Sequence, residues 1–300
     1  MKALAVALYT MLELTRRRLL LVFFAIGAAG IAGLGILLKV FTSAFVGSTS
    51  VSGPEGFRGP SPEQMTKLTE LSFVNDLISV LGVFALLIAF AIGMTAIYHD
   101  LESGSVVAIL SKPVSRLEFT LGKVIAAIVG MVLIVGLLSV EARLVMYLFG
   151  GGLEDALWFQ TLASVANGVT LMLIVLALSA WVNNIVAAII AFIYNAAAGV
   201  VVALHQAMLN GGIPSDNQVL HVGLSVLYWL VPHALVSSAP REIARQEFVI
   251  ITAGEPNPPP VGEIVSGIPG ASSGADILWW LFVVVVLFGL LYLAVRRRQV

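Results

Sequence analysis

The chain has 300 residues, of which 59% are hydrophobic and 11% charged, with a mean hydropathy of +1.01 and a formal net charge of -1. A soluble domain carries about 25% charged residues, so this composition excludes a water-soluble class and makes lipid the main solvent. The absence of cysteine excludes disulfides, thiolate metal sites and cysteine nucleophiles.

At the start of the chain, Leu4, Leu8, Met11, Leu12 and Thr15 fall on one helical stripe, with Lys2, Glu13 and Arg16 mostly off it. The pattern predicts an amphipathic helix within 1–18, lying at the inner membrane interface; simple extension of the first span is the alternative. The apolar run from Leu19 is too long for a cleavable signal peptide, and no small-x-small site follows it before Lys39.

A membrane span needs roughly 20 apolar residues. Six runs qualify, at 19–38, 77–98, 124–148, 161–182, 185–209 and 277–295. Ala25, Ala29 and Gly33 in the first run are spaced for close helix packing. A seventh run, Val219–Ala239, is long enough, but His221, Pro232 and His233 make it a poor lipid-facing helix. Charge parity decides its status. Arg16–Arg18 precede the first span and Arg296–Arg298 follow the last, so both clusters are cytoplasmic only if the number of crossings is even.

The expectation is therefore an all-α membrane protein: six spans, an interfacial N-terminal helix, and cytoplasmic N- and C-termini. Val219–Ala239 is then a re-entrant or surface element within a long external cap, 210–276, whose Gly- and Pro-rich stretches read as irregular. The loop 41–75 is expected outside, and the Asn183–Asn184 turn inside.

Segment 99–123 is the most informative. It is polar enough to leave the membrane, yet Leu110, Val114, Leu117 and Leu121 can line one side, with Ser111, Lys112, Ser115, Arg116 and Glu118 on another. Pro113 suits the first turn of a helix, and the pattern predicts a short helix over about 113–119 across the inner surface.

The order of residues here resembles the permeases of ABC type-2 exporters. The matching positions are Asp100, Glu102, Gly104, Leu110–Arg116, Glu118–Phe119 and Gly122–Lys123. The resemblance is closest to the branch containing the permease of the nitrous-oxide-reductase maturation system. It extends in outline over the whole chain, including Tyr228-Trp-Leu-Val-Pro-His233 before the last span.

The resemblance implies that the loop is a coupling helix seated in a cytoplasmic ATP-binding subunit. Asp100, Glu102, Gly104, Lys112, Pro113, Ser115, Arg116 and Glu118 would be the coupling residues. It implies two permease copies, or one copy with a related permease, on two ATPase subunits in a prokaryotic cytoplasmic (inner) membrane, and it allows an accessory protein on the outer face. The chain lacks G-x-x-x-x-G-K-[ST], the loop that cradles nucleotide phosphates. No catalytic residue, metal or cofactor is expected in it; ATP and Mg belong to the partner. Membrane lipid, not nucleic acid, is its expected surrounding.

Glu141 and Arg143 near the outer end of the third span, and Asn195 in the fifth, are candidates for an intramembrane polar path. Snorkelling or inter-helix hydrogen bonds are the plainer readings. The four histidines, His99, His205, His221 and His233, have no ligand spacing. The scarcity of intramembrane charge favours a lipid-like or amphipathic cargo. Two other classes remain open on sequence: a secondary transporter driven by an ion gradient, and a membrane scaffold or assembly subunit.

Overall fold

The computed structural model describes residues 2–15, 18–45, 61–96, 114–149, 154–209, 218–253, 260 and 270–297. These residues form helices and connecting segments, with no strand among them. In chain order the helices are α1 (Lys2–Thr15), α2 (Arg18–Phe45), α3 (Pro62–Thr95), α4 (Arg116–Phe149), α5 (Glu154–Ser179), α6 (Asn184–Leu209), α7 (Gln218–Leu230), α8 (Ala239–Ile251) and α9 (Gly274–Arg297). Six of them, α2 to α6 and α9, are long and apolar enough to cross a membrane, and they coincide with the six expected runs. The chain is a multi-pass membrane protein.

The bundle has a centre and a periphery. Helices α3 and α5 form the central pair, with α4 beside both, while α2, α6 and α9 turn most of their apolar surface outward. Glycine permits the central contact: a Cβ on Gly93 would sit 2.8 Å from the Val175 Cβ. Gly93 lies against Val175 and Gly168 lies near the Ala85 carbonyl, so α3 and α5 run in the same direction. Alternating crossings require this of the second and fourth spans.

Three contacts gather helix ends at one face of the bundle. The Asn184 amide donates to the Met94 carbonyl at 2.8 Å, joining the start of α6 to the end of α3. Arg297 lies over the Trp181 ring at 5.8 Å, and Arg116 Nη1 donates to the Arg296 carbonyl at 2.6 Å. The third contact joins the start of α4 to the end of α9. This is the end that carries the basic residues of the last helix.

Helix α1 packs lengthwise on α4. A Cβ on Gly122 would come within 2.6 Å of the Ala3 carbonyl oxygen and 2.8 Å of the Val6 Cβ, so the close approach requires glycine. Farther along, Met11 and Leu14 stand over Gly130, which makes the two helices run side by side in the same direction. Ala7, Thr10 and Leu14 are buried in this contact face, whereas Leu4, Leu8 and Leu12 of the expected stripe are exposed. The stripe thus faces away from the protein, toward the surrounding solvent of the bundle.

Three expectations change. The loop 41–75 is helical over its second part, because α3 begins at Pro62. Its signal was Ser61-x-x-Gln64, a capping box in which Gln64 N–H donates to Ser61 Oγ at 3.2 Å and Ser61 N–H donates to Gln64 Oε1 at 2.7 Å. Of the short helix expected over 113–119, Pro113 lies outside the described residues, and residues 116–119 are the first turn of α4, a continuous helix of 34 residues. The region 210–276 is not wholly irregular, since it contains α7 and α8. The seventh apolar run is broken: α7 has 13 residues, a length of about 20 Å, short of the roughly 30 Å hydrocarbon core. An extended segment with Pro232 follows it.

Candidate functional site

Of the expected coupling residues, Asp100, Glu102, Gly104, Lys112 and Pro113 lie outside the described residues. Ser115, Arg116 and Glu118 open α4. Glu118 Oε2 accepts from the Ser115 N–H at 2.8 Å and from its hydroxyl at 3.0 Å, and Ser115 Oγ accepts from the Glu118 N–H at 3.2 Å. This is a capping box in the S-x-x-E form, which takes up N–H groups that the first helical turn leaves without partners. Glu118 therefore has a structural task besides its charge. So does Arg116, through its bond to Arg296.

The last two residues of the motif have roles that spacing did not show. Gly122 admits α1, as described above. Lys123 is buried to 1% exposure and its Nζ lies 3.4 Å from Glu13 Oε2 on α1. Its Nζ also sits 5.9 Å from the centre of the Phe119 ring, and Phe119 is fully buried. A buried cation needs a paired anion, and Glu13 supplies one from a helix over a hundred residues away in sequence. The Gly-Lys pair thus fastens α1 to the first turns of α4. A polar residue within α1, lying off its apolar stripe, was the signal that could have suggested a partner.

The second polar concentration lies toward the opposite end of α9. Asp276 Oδ1 accepts from the Tyr228 hydroxyl at 3.0 Å and lies 3.3 Å from His233 Nε2. Its Oδ2 accepts from the Ser273 N–H at 2.7 Å and the Ser273 hydroxyl at 2.8 Å, which caps α9. His233 Nδ1 lies 3.0 Å from the Tyr228 carbonyl. Both ring nitrogens of His233 thus face oxygens, the Tyr228 carbonyl on one side and the Asp276 carboxylate on the other. Burial, and then the bond to Asp276, pushes the Tyr228 phenol upward, so it stays a donor. His205, Tyr228 and His233 stack as three successive rings, with centroids 4.0 and 3.8 Å apart.

The extended segment after α7 is held at mid-height in the bundle. Asn167, near the midpoint of α5, receives the Leu235 N–H at 2.7 Å and donates to the Leu235 carbonyl at 2.9 Å. The Tyr194 hydroxyl, near the middle of α6, donates to the Pro232 carbonyl at 3.0 Å. The Val236 N–H donates to Ser272 Oγ at 2.8 Å, and its carbonyl receives the Ser272 N–H at 2.9 Å. Irregular backbone persists at such depth only where protein groups satisfy it, and these side chains do so.

Asn195 joins Asn167, Thr170, Tyr194, Pro232 and His233 around a cavity of about 20 Å³, room for roughly one water. Glu141 and Arg143 are elsewhere on α4, and Arg143 lies over the Trp158 ring at 5.5 Å. Among the described residues, no three His, Asp or Glu side chains are placed to hold a metal ion. No protein-family model matches the chain, and no curated protein matches it.

Proposed function

We propose that this chain is the membrane-spanning permease subunit of an ATP-driven exporter of the ABC type-2 class, with ATP hydrolysed on a separate cytoplasmic subunit. The observation that carries the reading is the ordered motif 100–123 between the second and third spans, together with the mechanical role of its last residues. A loop pushed by an ATPase acts on α4 directly. From there, Lys123–Glu13 passes the displacement to α1 and Arg116–Arg296 passes it to α9. The rigid lever is α4 itself.

In this reading the basic end of the bundle is cytoplasmic, in a prokaryotic inner membrane, and α1 stands beside the inner part of α4 with Leu4, Leu8 and Leu12 in lipid. The segment from α7 to α8 is re-entrant. Two such permeases, or one with a related partner, enclose a path for a lipid-like or amphipathic cargo.

A second reading is favoured by one observation. The buried Tyr228–His233–Asp276 cluster beside a broken apolar run is the kind of arrangement that ion-driven transporters use. Solubilisation in mild detergent, capture of the chain and identification of bound proteins by mass separates the two. The exporter reading expects a stoichiometric P-loop ATPase. Glu118→Gln preserves the capping box while deleting the charge. Combined with Lys112→Glu, it should lower ATPase recovery about tenfold, the effect of 1.4 kcal/mol at a docking surface. An intact permease without an ATPase, or recovery unchanged by the double substitution, overturns the coupling assignment.

A further inference from the structure

A further feature lies at the end of α1, where α1 meets α2 on the flank of α4. A cleft of about 290 Å³ opens there, with Met11 and Leu14 of α1, Leu20 and Phe24 of α2, and Leu133 and Ile134 of α4 in its walls. That is roughly twice an apolar cavity known to hold a benzene ring. Among the described residues that line it, Thr15 alone has a polar side chain, and the Thr15 hydroxyl already donates to the Leu12 carbonyl at 3.0 Å. The lining therefore asks for hydrocarbon and offers nothing to a polar ligand. At the edge of the cleft stands the start of α2. Arg18 there is exposed, and the first N–H groups of a helix carry partial positive charge. Apolar walls beside a cationic rim match one occupant in a membrane.

We propose that this cleft binds one anionic phospholipid, with an acyl chain between α1, α2 and α4 and the phosphate at Arg18 and the α2 N-terminus. The lipid fills the space between α1, α2 and α4 and so continues, toward the end of α1, the α1–α4 packing that Gly122 makes close near its start. This site rests on the membrane embedding of the chain and not on its assignment as an exporter subunit.

The test uses the full chain in detergent supplied with phosphatidylglycerol or phosphatidylcholine of identical acyl chains, read by native mass spectrometry. One phosphatidylglycerol per chain should be retained about fivefold over phosphatidylcholine, the ratio expected for one arginine at an anionic headgroup. Leu133→Trp fills the cleft and should lower that retention about tenfold. Leu144→Trp, equally exposed on α4 but outside the cleft, should not. Arg18→Gln should erase the preference between the two lipids while leaving their common retention. Leu137→Trp, at the same rim, repeats the filling test if Leu133→Trp does not run as a single species on size exclusion. Equal retention of the two lipids by the unsubstituted chain overturns the headgroup assignment. Unchanged retention in the cleft-filling variants overturns the site.

Discussion

The two polar regions of this bundle are built on opposite principles. At the α1–α4 junction a buried ion pair, Lys123–Glu13, is set into a contact made close by Gly122. Around Asp276 one carboxylate faces Tyr228, Ser273 and His233 together. The first arrangement joins two helices along a close lengthwise contact that has a buried charge pair within it. The second ties α7, the extended segment and the start of α9 into a unit with a common acceptor. A part that transmits movement suits the first design, and a part that must stay folded within the bundle suits the second.

Removal of the Asp276 carboxylate should have the largest effect. Asp276→Ala leaves the Tyr228 hydroxyl and a His233 nitrogen without their acceptor, and each buried group so abandoned costs about 1–3 kcal/mol. The expected total is about 4 kcal/mol, read as thermal unfolding of the detergent-solubilised chain by tryptophan fluorescence. Asp276→Asn retains one acceptor oxygen and should lose less. A melting curve for Asp276→Ala within about 1 kcal/mol of the parent would mean that the cluster is not the cohesive unit described.

The junction should respond more weakly and asymmetrically. Glu13→Gln takes a carboxylate away from the buried Lys123 ammonium, while Lys123→Met takes a cation away from Glu13, which is partly exposed to its surroundings. The first should cost about 2 kcal/mol, below the range for a fully buried pair because Glu13 is partly hydrated. The second should cost less, and the double variant should cost less than the sum. Simple additivity would show that the two side chains do not act as a pair.

The same contrast explains what was legible in the sequence. Long apolar runs and terminal arginines reveal the six crossings, because lipid imposes one length and one charge rule on every span. Pro232 and His233 likewise betray the interruption of the seventh run. The Gly122–Lys123 pair was visible as part of a motif, but its purpose was not, since Glu13 lies on another helix and nothing in local spacing connects them. Tyr228, His233 and Asp276 are harder still. Tyr228 and His233 stand out in their own segment, but nothing there points to Asp276, which only the fold sets beside them. Asn167 shows the limit from another direction: an amide in a span signals a hydrogen bond, but not that its partner would be the backbone of Leu235.

The smallest expected effect concerns the part of α3 that precedes its apolar run. Ser61→Ala removes one half of the capping box, a loss of about 1 kcal/mol. That residue is exposed and its bonds are local, whereas Gln64 also donates to the Ile250 carbonyl at 3.0 Å and so reaches α8. Ser61→Ala should therefore speed amide hydrogen exchange in the first turns of α3 while leaving the melting temperature nearly unchanged. Gln64→Ala should speed exchange at the end of α8 as well. If Ser61→Ala instead lowered the melting temperature as much as Glu13→Gln, the start of α3 would be part of the cooperative core. The bundle would then be held as firmly by its projecting helix end as by its buried ion pair.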